Sequence, residues 1–103
     1  MGKIRPDELD ERLDDDTSPF VVDIRPTDHY RRGAIDGSHN VPVYDEVRSG
    51  NEDALRRHLD EIPRDRDVVV VCKMGIVAKR ATNVLQSEGY DATTLAGGMS
   101  GWN

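Results

Sequence analysis

The sequence is short of several residue types, and each shortage excludes a class of protein. Its single cysteine, Cys72, rules out an internal disulfide, and its three scattered histidines do not supply the ligands of an ordinary structural zinc site. No apolar run approaches the roughly 20 residues that cross a bilayer, and the first residues lack the apolar core of a signal peptide. We therefore expect a cytoplasmic protein that uses neither a membrane nor a metal or other cofactor.

Basic residues are also in short supply. The 20 acidic and 14 basic residues give a net charge of −6, which argues against a nucleic-acid binder because such proteins neutralise phosphates with Lys and Arg. Within the acidic residues Asp outnumbers Glu by 14 to 6, and within the basic residues Arg outnumbers Lys by 11 to 3. We interpret this skew as halophilic, since concentrated salt screens the repulsion of an acidic surface. A GC-rich genome would produce the same bias.

The 103 residues allow one domain, over 1–103, and the single Trp and single Phe predict a small aliphatic core. Residues 67–71 give the strongest strand signal, because continuous β-branched apolarity indicates burial on both faces, as in a parallel sheet. Residues 76–88 have helical spacing and end at Gly89, and a further strand follows at 93–95. This strand, helix, strand order predicts an open α/β sheet with helices on its faces.

The amino-terminal part of the sequence carries weaker signals. A short helix is predicted to begin at Pro6 and to end by residues 14–16, and a buried strand is predicted at 20–24. Residues 26–30 predict a helical turn closed by Gly33, and residues 34–42 are too rich in Gly and Pro for a helix, so they predict a loop with a short extended piece. Residues 52–62 predict one amphipathic helix.

Cys72 lies at the carboxyl end of the predicted strand 67–71, where open α/β sheets place their ligands. A cysteine attacks as the thiolate, so the surroundings must stabilise the anion. The N–H groups that begin the following helix contribute about 0.3–2 kcal/mol to an anion, and Gly75 lets loop N–H groups converge. Lys73 and Lys79 add positive charge. The alternative is a buried thiol that acts as a small hydrophobe.

Three segments of the sequence resemble the motifs of the single-domain rhodaneses, which are sulfurtransferases. The first is an Asp-x-Arg strand end, with Asp23 and Arg25, followed by a loop that ends Gly37-Ser38-His39-Asn40-Val41-Pro42. The second is a Cys-x-x-Gly loop, Cys72-Lys73-Met74-Gly75, and the third is a closing Gly-Gly-x-x-x-Trp, from Gly97 to Trp102. The resemblance covers nearly the whole chain and implies an open, mainly parallel five-stranded sheet with helices on both faces.

The resemblance also implies a chemistry. The Cys72 thiolate would take a sulfane sulfur from a donor such as thiosulfate or a protein persulfide, become a persulfide, and pass the sulfur to a thiol or another nucleophile. Asp23 and Arg25 would support the active loop. The expected partners are a small sulfur donor or a sulfur-carrier protein, with no nucleic acid or membrane, and the expected state is a monomer. The residues expected to bind substrate around the sulfur are Lys73, Met74, Gly75, Ile76 and Val77.

The sequence departs from the family pattern in the loop, where Val77 and Ala78 stand at positions that often hold Arg and Ser. Lys73, Lys79 or Arg80 would then have to replace the loop arginine. Related phosphatases place an arginine six residues after the cysteine, and Ala78 there disfavours phosphate chemistry. A non-catalytic rhodanese-like binding or redox-sensing module is the remaining alternative.

The three histidines have no family role. His29 stands where the family often has an acidic residue, and it would either tune the thiol or lie on the surface. His39 is expected in the scaffold and His58 on a helix surface.

Overall fold

A computed structural model describes residues 2–102, and its centre is a five-stranded, fully parallel sheet. The strand order is β1-β5-β4-β2-β3, so the two longest pairings, β2 with β4 and β4 with β5, lie in the middle. This confirms the predicted open sheet of five parallel strands. The strands are β1 (Lys3–Ile4), β2 (Phe20–Asp23), β3 (His39–Asn40), β4 (Val68–Val71) and β5 (Ala92–Leu95).

Helices cover both faces of the sheet, as predicted. They are α1 (Pro6–Leu13), α2 (Thr27–Arg32), α3 (Tyr44–Arg48), α4 (Asp53–Arg56) and α5 (Ile76–Ser87), with 3₁₀ turns at Leu59–Glu61 and Gly98–Gly101. The larger core lies on the face that carries α3, α4 and α5, and the smaller core lies under α1 and the Gly98–Gly101 turn. No helix between residues 2 and 102 is long and apolar enough to cross a membrane.

The four valines of β4 explain why this strand is central. Successive side chains of a strand point to opposite faces, so Val68 and Val70 enter the larger core and Val69 and Val71 enter the smaller one. All four are buried, because both faces of the strand are covered. The strand therefore ends at a fixed place, and Cys72 follows it directly.

One predicted helix is wrong in its extent. Residues 52–62 do not form a single helix but divide into α4 and the Leu59–Glu61 turn. The single hydroxyl proton of Tyr90 is shared between the carbonyl oxygens of Leu59 and Ile62, at 2.9 and 3.0 Å, and this contact holds the chain in its broken form. The spacing of the apolar residues indicated burial correctly, since Leu55 and Ile62 are both buried.

Two elements were not predicted from the residue pattern, β1 and α3. The domain predicted over 1–103 includes Met1 and Asn103, which lie outside the described residues.

Candidate active site

Cys72 begins the loop that joins β4 to α5, at the carboxyl edge of the sheet. Its side chain is only 1% exposed, so the sulfur is not on the surface. Two main-chain N–H groups point at it: the Gly75 nitrogen lies 3.0 Å from Sγ and the Ala78 nitrogen lies 3.3 Å from it. The sulfur is therefore buried yet hydrogen-bonded, unlike a cysteine that only fills apolar space.

These donors exist because of how α5 begins. Gly75 precedes the helix with a φ of 90°, in the left-handed region that glycine adopts without strain. The turn aims the Gly75 N–H at the sulfur and starts the helix close to it. The first N–H groups of a helix have no intrahelical acceptor, so the Ala78 N–H is available to Sγ. Both donors are main-chain groups, and together with the helix dipole they favour an anionic sulfur.

The Gly98–Gly101 turn supports the loop from below. The Met99 N–H donates to the Cys72 carbonyl at 2.8 Å, and the Ser100 N–H donates to the Lys73 carbonyl at 2.9 Å. Gly98 makes this contact possible, because a Cβ there would lie 2.7 Å from the Lys73 carbonyl oxygen and closer still to that of Cys72. The glycine pair near the carboxyl end thus fixes the main chain on which the cysteine sits.

A cavity of about 270 Å³ leads to Cys72. Three larger clefts, of about 680, 670 and 400 Å³, lie elsewhere and are not lined by Cys72. Met74 and Ile76 at the mouth are 55% and 74% exposed, and they are the exposed large hydrophobic side chains of the described chain. The lining residues are Tyr44, Arg48, Cys72, Met74, Ile76, Val77 and Arg80. The two arginines in this set add cationic groups to the apolar ones at the mouth.

The structure brings together most of the residues predicted at the site. Met74, Ile76 and Val77 line the cavity, and Gly75 contributes its N–H group. Lys73 is exposed and its side chain is not among the lining groups.

Of the basic residues that the sequence offered near the cysteine, Arg80 lines the cavity, and Arg48 of α3 lines it as well. Lys79 lines the separate cleft of about 670 Å³ and is not among the residues that line the Cys72 cavity. Val77 and Arg80 lie three residues apart on one face of α5, and both line the cavity. Arg48 was missed altogether. The spacing of Val43 and Val47 was the available signal for α3, which carries it.

Asp23 and Arg25 form a buried ion pair at the end of β2. The guanidinium contacts the carboxylate at 2.7, 3.0 and 3.1 Å, and its Nη2 also donates to the Gly33 carbonyl at 2.8 Å. Asp23 is 1% exposed and Arg25 is 7% exposed. The adjacent Ile24 N–H donates to the Val71 carbonyl at 2.9 Å, next to Cys72. Arg25 makes no hydrogen bond to the Cys72 loop, so the pair acts on the strand end.

The histidines lie away from the cysteine cavity. His29 is half-buried in α2 and is not one of the residues that line the cavity. His39 and His58 contact the two oxygens of Glu61, at 2.7 and 2.5 Å. The hydrogen bonds from His39 and then His58 hold the pKa of Glu61 below its usual value. Across residues 2–102, no three side chains of the metal-binding types are arranged to hold a metal ion.

Comparison with known proteins agrees with this geometry. The family model described as "Rhodanese-like domain" matches residues 5–103. The chain belongs to the rhodanese-like domain family. The match includes the strand end with Asp23 and Arg25, the Cys72 loop and the closing glycine pair.

Individual relatives of this rhodanese-like domain include sulfurtransferases. It is 33% identical over 81% of its length to "Thiosulfate sulfurtransferase GlpE" of Shewanella oneidensis, of which it covers 74%. It is 31% identical over 88% of its length to "Adenylyltransferase and sulfurtransferase MOCS3-2" of Zea mays, but spans only 19% of that protein. These relatives support a sulfur-transfer role in general.

A solved structure shows the same fold. The crystal structure of a rhodanese-like domain protein from Staphylococcus aureus superposes with a TM-score of 0.83 at 24% identity, covering all of this rhodanese-like domain and 92% of the other chain. The two chains therefore share a fold.

Proposed function

We propose that this rhodanese-like domain transfers a sulfane sulfur through a persulfide on Cys72, with thiosulfate or a protein persulfide as donor. The observation that carries the proposal is the position of Sγ, which accepts hydrogen bonds from two main-chain N–H groups at 3.0 and 3.3 Å, in a cysteine that lines a cavity. Such donors stabilise a thiolate, and the thiolate is the attacking form.

The proposed reaction has two half-reactions that balance. The Cys72 thiol first loses its proton to solvent. The thiolate attacks the outer sulfur of thiosulfate, the Cys72 sulfur forms a bond to it, and the sulfur–sulfur bond of the donor breaks with its electron pair leaving on sulfite. A thiolate or cyanide then attacks the outer sulfur of the persulfide, takes it as a new persulfide or as thiocyanate, and returns Cys72 as the thiolate.

Residues of the loop would hold the transferred sulfur. The N–H groups of Gly75 and Ala78 already reach Sγ, and those of Ile76 and Val77 open the same helix, where N–H groups have no intrahelical acceptor. We assign these groups to the second sulfur. The side chains of Met74, Ile76 and Val77 would exclude water from it. Asp23 and Arg25 would support the loop through the end of β2.

The partners follow from the shape and surroundings of the cavity. The GlpE relative from Shewanella oneidensis is named a thiosulfate sulfurtransferase, which supports thiosulfate as a small donor. The exposed Met74 and Ile76 beside the cavity suit a sulfur-carrier protein, since apolar groups at the rim of a site are typical of protein contacts. We propose that the domain acts as a monomer and uses neither nucleic acid, membrane nor cofactor.

Mass spectrometry and a turnover assay test the proposal. The protein is incubated with thiosulfate, and the mass of one added sulfur atom is mapped by peptide; cyanide is then added and thiocyanate is measured. Cys72 is the only thiol in the sequence, so any adduct is unambiguous. We expect the adduct on Cys72 and thiocyanate formation that Cys72→Ser abolishes. Thiocyanate formation that survives Cys72→Ser would overturn the mechanism.

A binding or redox-sensing module is the second candidate, and the 1% exposure of Cys72 favours its binding form, because a redox-sensing thiol must be accessible. A sulfur that a donor cannot reach would take up no sulfane sulfur from any donor. Failure of thiosulfate, of glutathione persulfide and of a protein persulfide to modify Cys72 would therefore support the module. Modification by any of the three would exclude a purely binding role.

A further inference from the structure

Two arginines outside the Cys72 loop lie at the mouth of its cavity. Arg48 is the last residue of α3 and Arg80 is in α5, and both line the cavity of about 270 Å³ that leads to the sulfur. The Nη1 of Arg80 donates to the Arg48 carbonyl at 3.2 Å, which ties the two elements together. The remaining lining groups are the cysteine and apolar or aromatic side chains, so the lining holds two positive charges and no carboxylate.

Neither guanidinium is neutralised by the protein. Within residues 2–102, no Asp or Glu oxygen lies within 4.0 Å of Arg48 or Arg80, although the chain has 20 acidic residues to 14 basic ones. Four other arginines of the described chain also lack such a partner, but none of them lines this cavity: Arg31, Arg57, Arg64 and Arg66. Two guanidiniums without carboxylate partners on one cavity can attract and hydrogen-bond an incoming anion.

We infer that Arg48 and Arg80 bind the anionic end of the molecule that reacts with Cys72, and so select sulfur donors whose leaving group is an oxyanion. This rests on the proposed function and names the substrate class of the same site. A thiosulfonate, R–SO₂–S⁻, or thiosulfate places its sulfane sulfur at Sγ while its oxygens face the arginines. The planar guanidinium suits such oxygens because its N–H groups contact two of them at once.

The selection would operate during bond breaking as well as binding. When the donor sulfur–sulfur bond breaks, its electron pair stays on the departing sulfite or sulfinate, so negative charge accumulates on the group beside the arginines. This position takes over the task of the arginine that the loop lacks at Val77 and Ala78.

Charged thiol reagents test the anion site without requiring sulfur transfer. Sulfonatoethyl methanethiosulfonate is anionic and trimethylammonioethyl methanethiosulfonate is cationic. With either reagent the Cys72 thiolate forms a mixed disulfide and methanesulfinate leaves. The ratio of the two rate constants, measured at low ionic strength by quenching and mass spectrometry, reports the potential at the sulfur, and Cys72 is the only thiol.

We expect Arg48→Gln and Arg80→Gln each to lower the anionic-to-cationic rate ratio about twofold to fivefold, the range for a solvent-exposed charge pair. The matched control is Arg57→Gln, which removes the same charge from an exposed arginine that does not line the cavity. It should leave the ratio unchanged. Arg48→Lys should keep most of the ratio, because the charge remains. Circular dichroism spectra check that each variant is folded.

The outcomes separate this inference from the proposed function. Equal ratios in the wild type, Arg48→Gln and Arg80→Gln, or an equal fall in Arg57→Gln, would overturn the anion site. With thiosulfate and cyanide, both cavity variants should raise the KM for thiosulfate by a similar factor. An unchanged KM, with turnover intact, would overturn the inference alone. A ratio that follows the arginines, while neither thiosulfate, glutathione persulfide nor a protein persulfide modifies Cys72, would overturn the sulfurtransferase proposal alone.

Discussion

Removal of the Arg25 side chain should be among the most destabilising single changes in this domain. The guanidinium makes three contacts of 2.7 to 3.1 Å with the Asp23 carboxylate and one of 2.8 Å with the Gly33 carbonyl. In Arg25→Met the carboxylate, 1% exposed, would keep only the main-chain N–H at position 25, at 3.0 Å. Leaving a buried charge without its partner costs about 3–5 kcal/mol, which is a large share of the roughly 5–15 kcal/mol that holds a domain folded.

Urea and thermal denaturation measure this cost, with circular dichroism and the fluorescence of Trp102, the only tryptophan, as signals. At about 4–8 °C per kcal/mol, the melting temperature should fall by about 12–40 °C. The control is Arg32→Met, whose ion pair with Asp28 is 4.0 Å long and exposed, and which should change stability by less than about 0.5 kcal/mol.

Two results would refute the reasoning about this pair. One is a loss below about 1 kcal/mol in Arg25→Met, since that would mean the carboxylate is not stranded. The other is a double variant, Asp23→Leu with Arg25→Met, that is as unstable as Arg25→Met alone. Replacing both charges with apolar groups should recover most of the lost stability.

The same variant distinguishes support from catalysis. Arg25 does not line the cavity, so Arg25→Met should transfer sulfur within about threefold of the wild-type kcat/KM at a temperature where it is folded. A loss of about a hundredfold in folded protein would place Arg25 in the chemistry instead.

Three further results are expected. Gly98→Ala should destabilise the protein by at least about 1–3 kcal/mol and slow Cys72 alkylation, because a Cβ would collide with the loop main chain, whereas Gly33→Ala enters open space and should not. Hydrogen bonds from His39 and then His58 lower the pKa of Glu61, so the wild type should be more stable than Glu61→Gln at neutral pH and should lose this advantage as the pH falls below the ordinary glutamate pKa. A stability difference that does not change with pH in urea denaturation would contradict this. Melting should rise between low and molar KCl if the acidic surface is halophilic, and an unchanged midpoint would remove that interpretation.

Elements with a strong apolar pattern were predictable from the sequence. The strands at Phe20–Asp23 and Val68–Val71 are continuous apolar runs, and the helix Ile76–Ser87 has apolar residues at helical spacing. β1 could not be found this way, because it has two residues and becomes a strand only by pairing with β5. Such pairing between chain ends leaves no local signal.

The candidate site was predictable where it depends on the loop and not where it depends on distant elements. Cys72 and the residues that follow it are adjacent in sequence, so their meeting needs only the turn at Gly75. Arg48 reaches the cavity because α3 packs beside α5. Nothing within the sequence around Arg48 carries that information. The cytoplasmic location, halophilic character and monomeric state remain predictions.

At Cys72, main-chain groups stabilise the sulfur and side chains surround it, and this separation affects how substitutions can change the site. Main-chain N–H groups stabilise the sulfur, and their position depends on Gly75 and on the turn below the loop, not on the side chains of Val77 or Ala78. Side-chain substitutions in the loop therefore leave the nucleophile intact while changing what surrounds it. If Arg48 and Arg80 supply the charge, substrate choice resides on α3 and α5 and can change without disturbing the sulfur. Exchanging Arg48 and Arg80 for neutral residues should then alter which donor is preferred, whereas the rate of attack by Cys72 on an uncharged thiol reagent should remain the same.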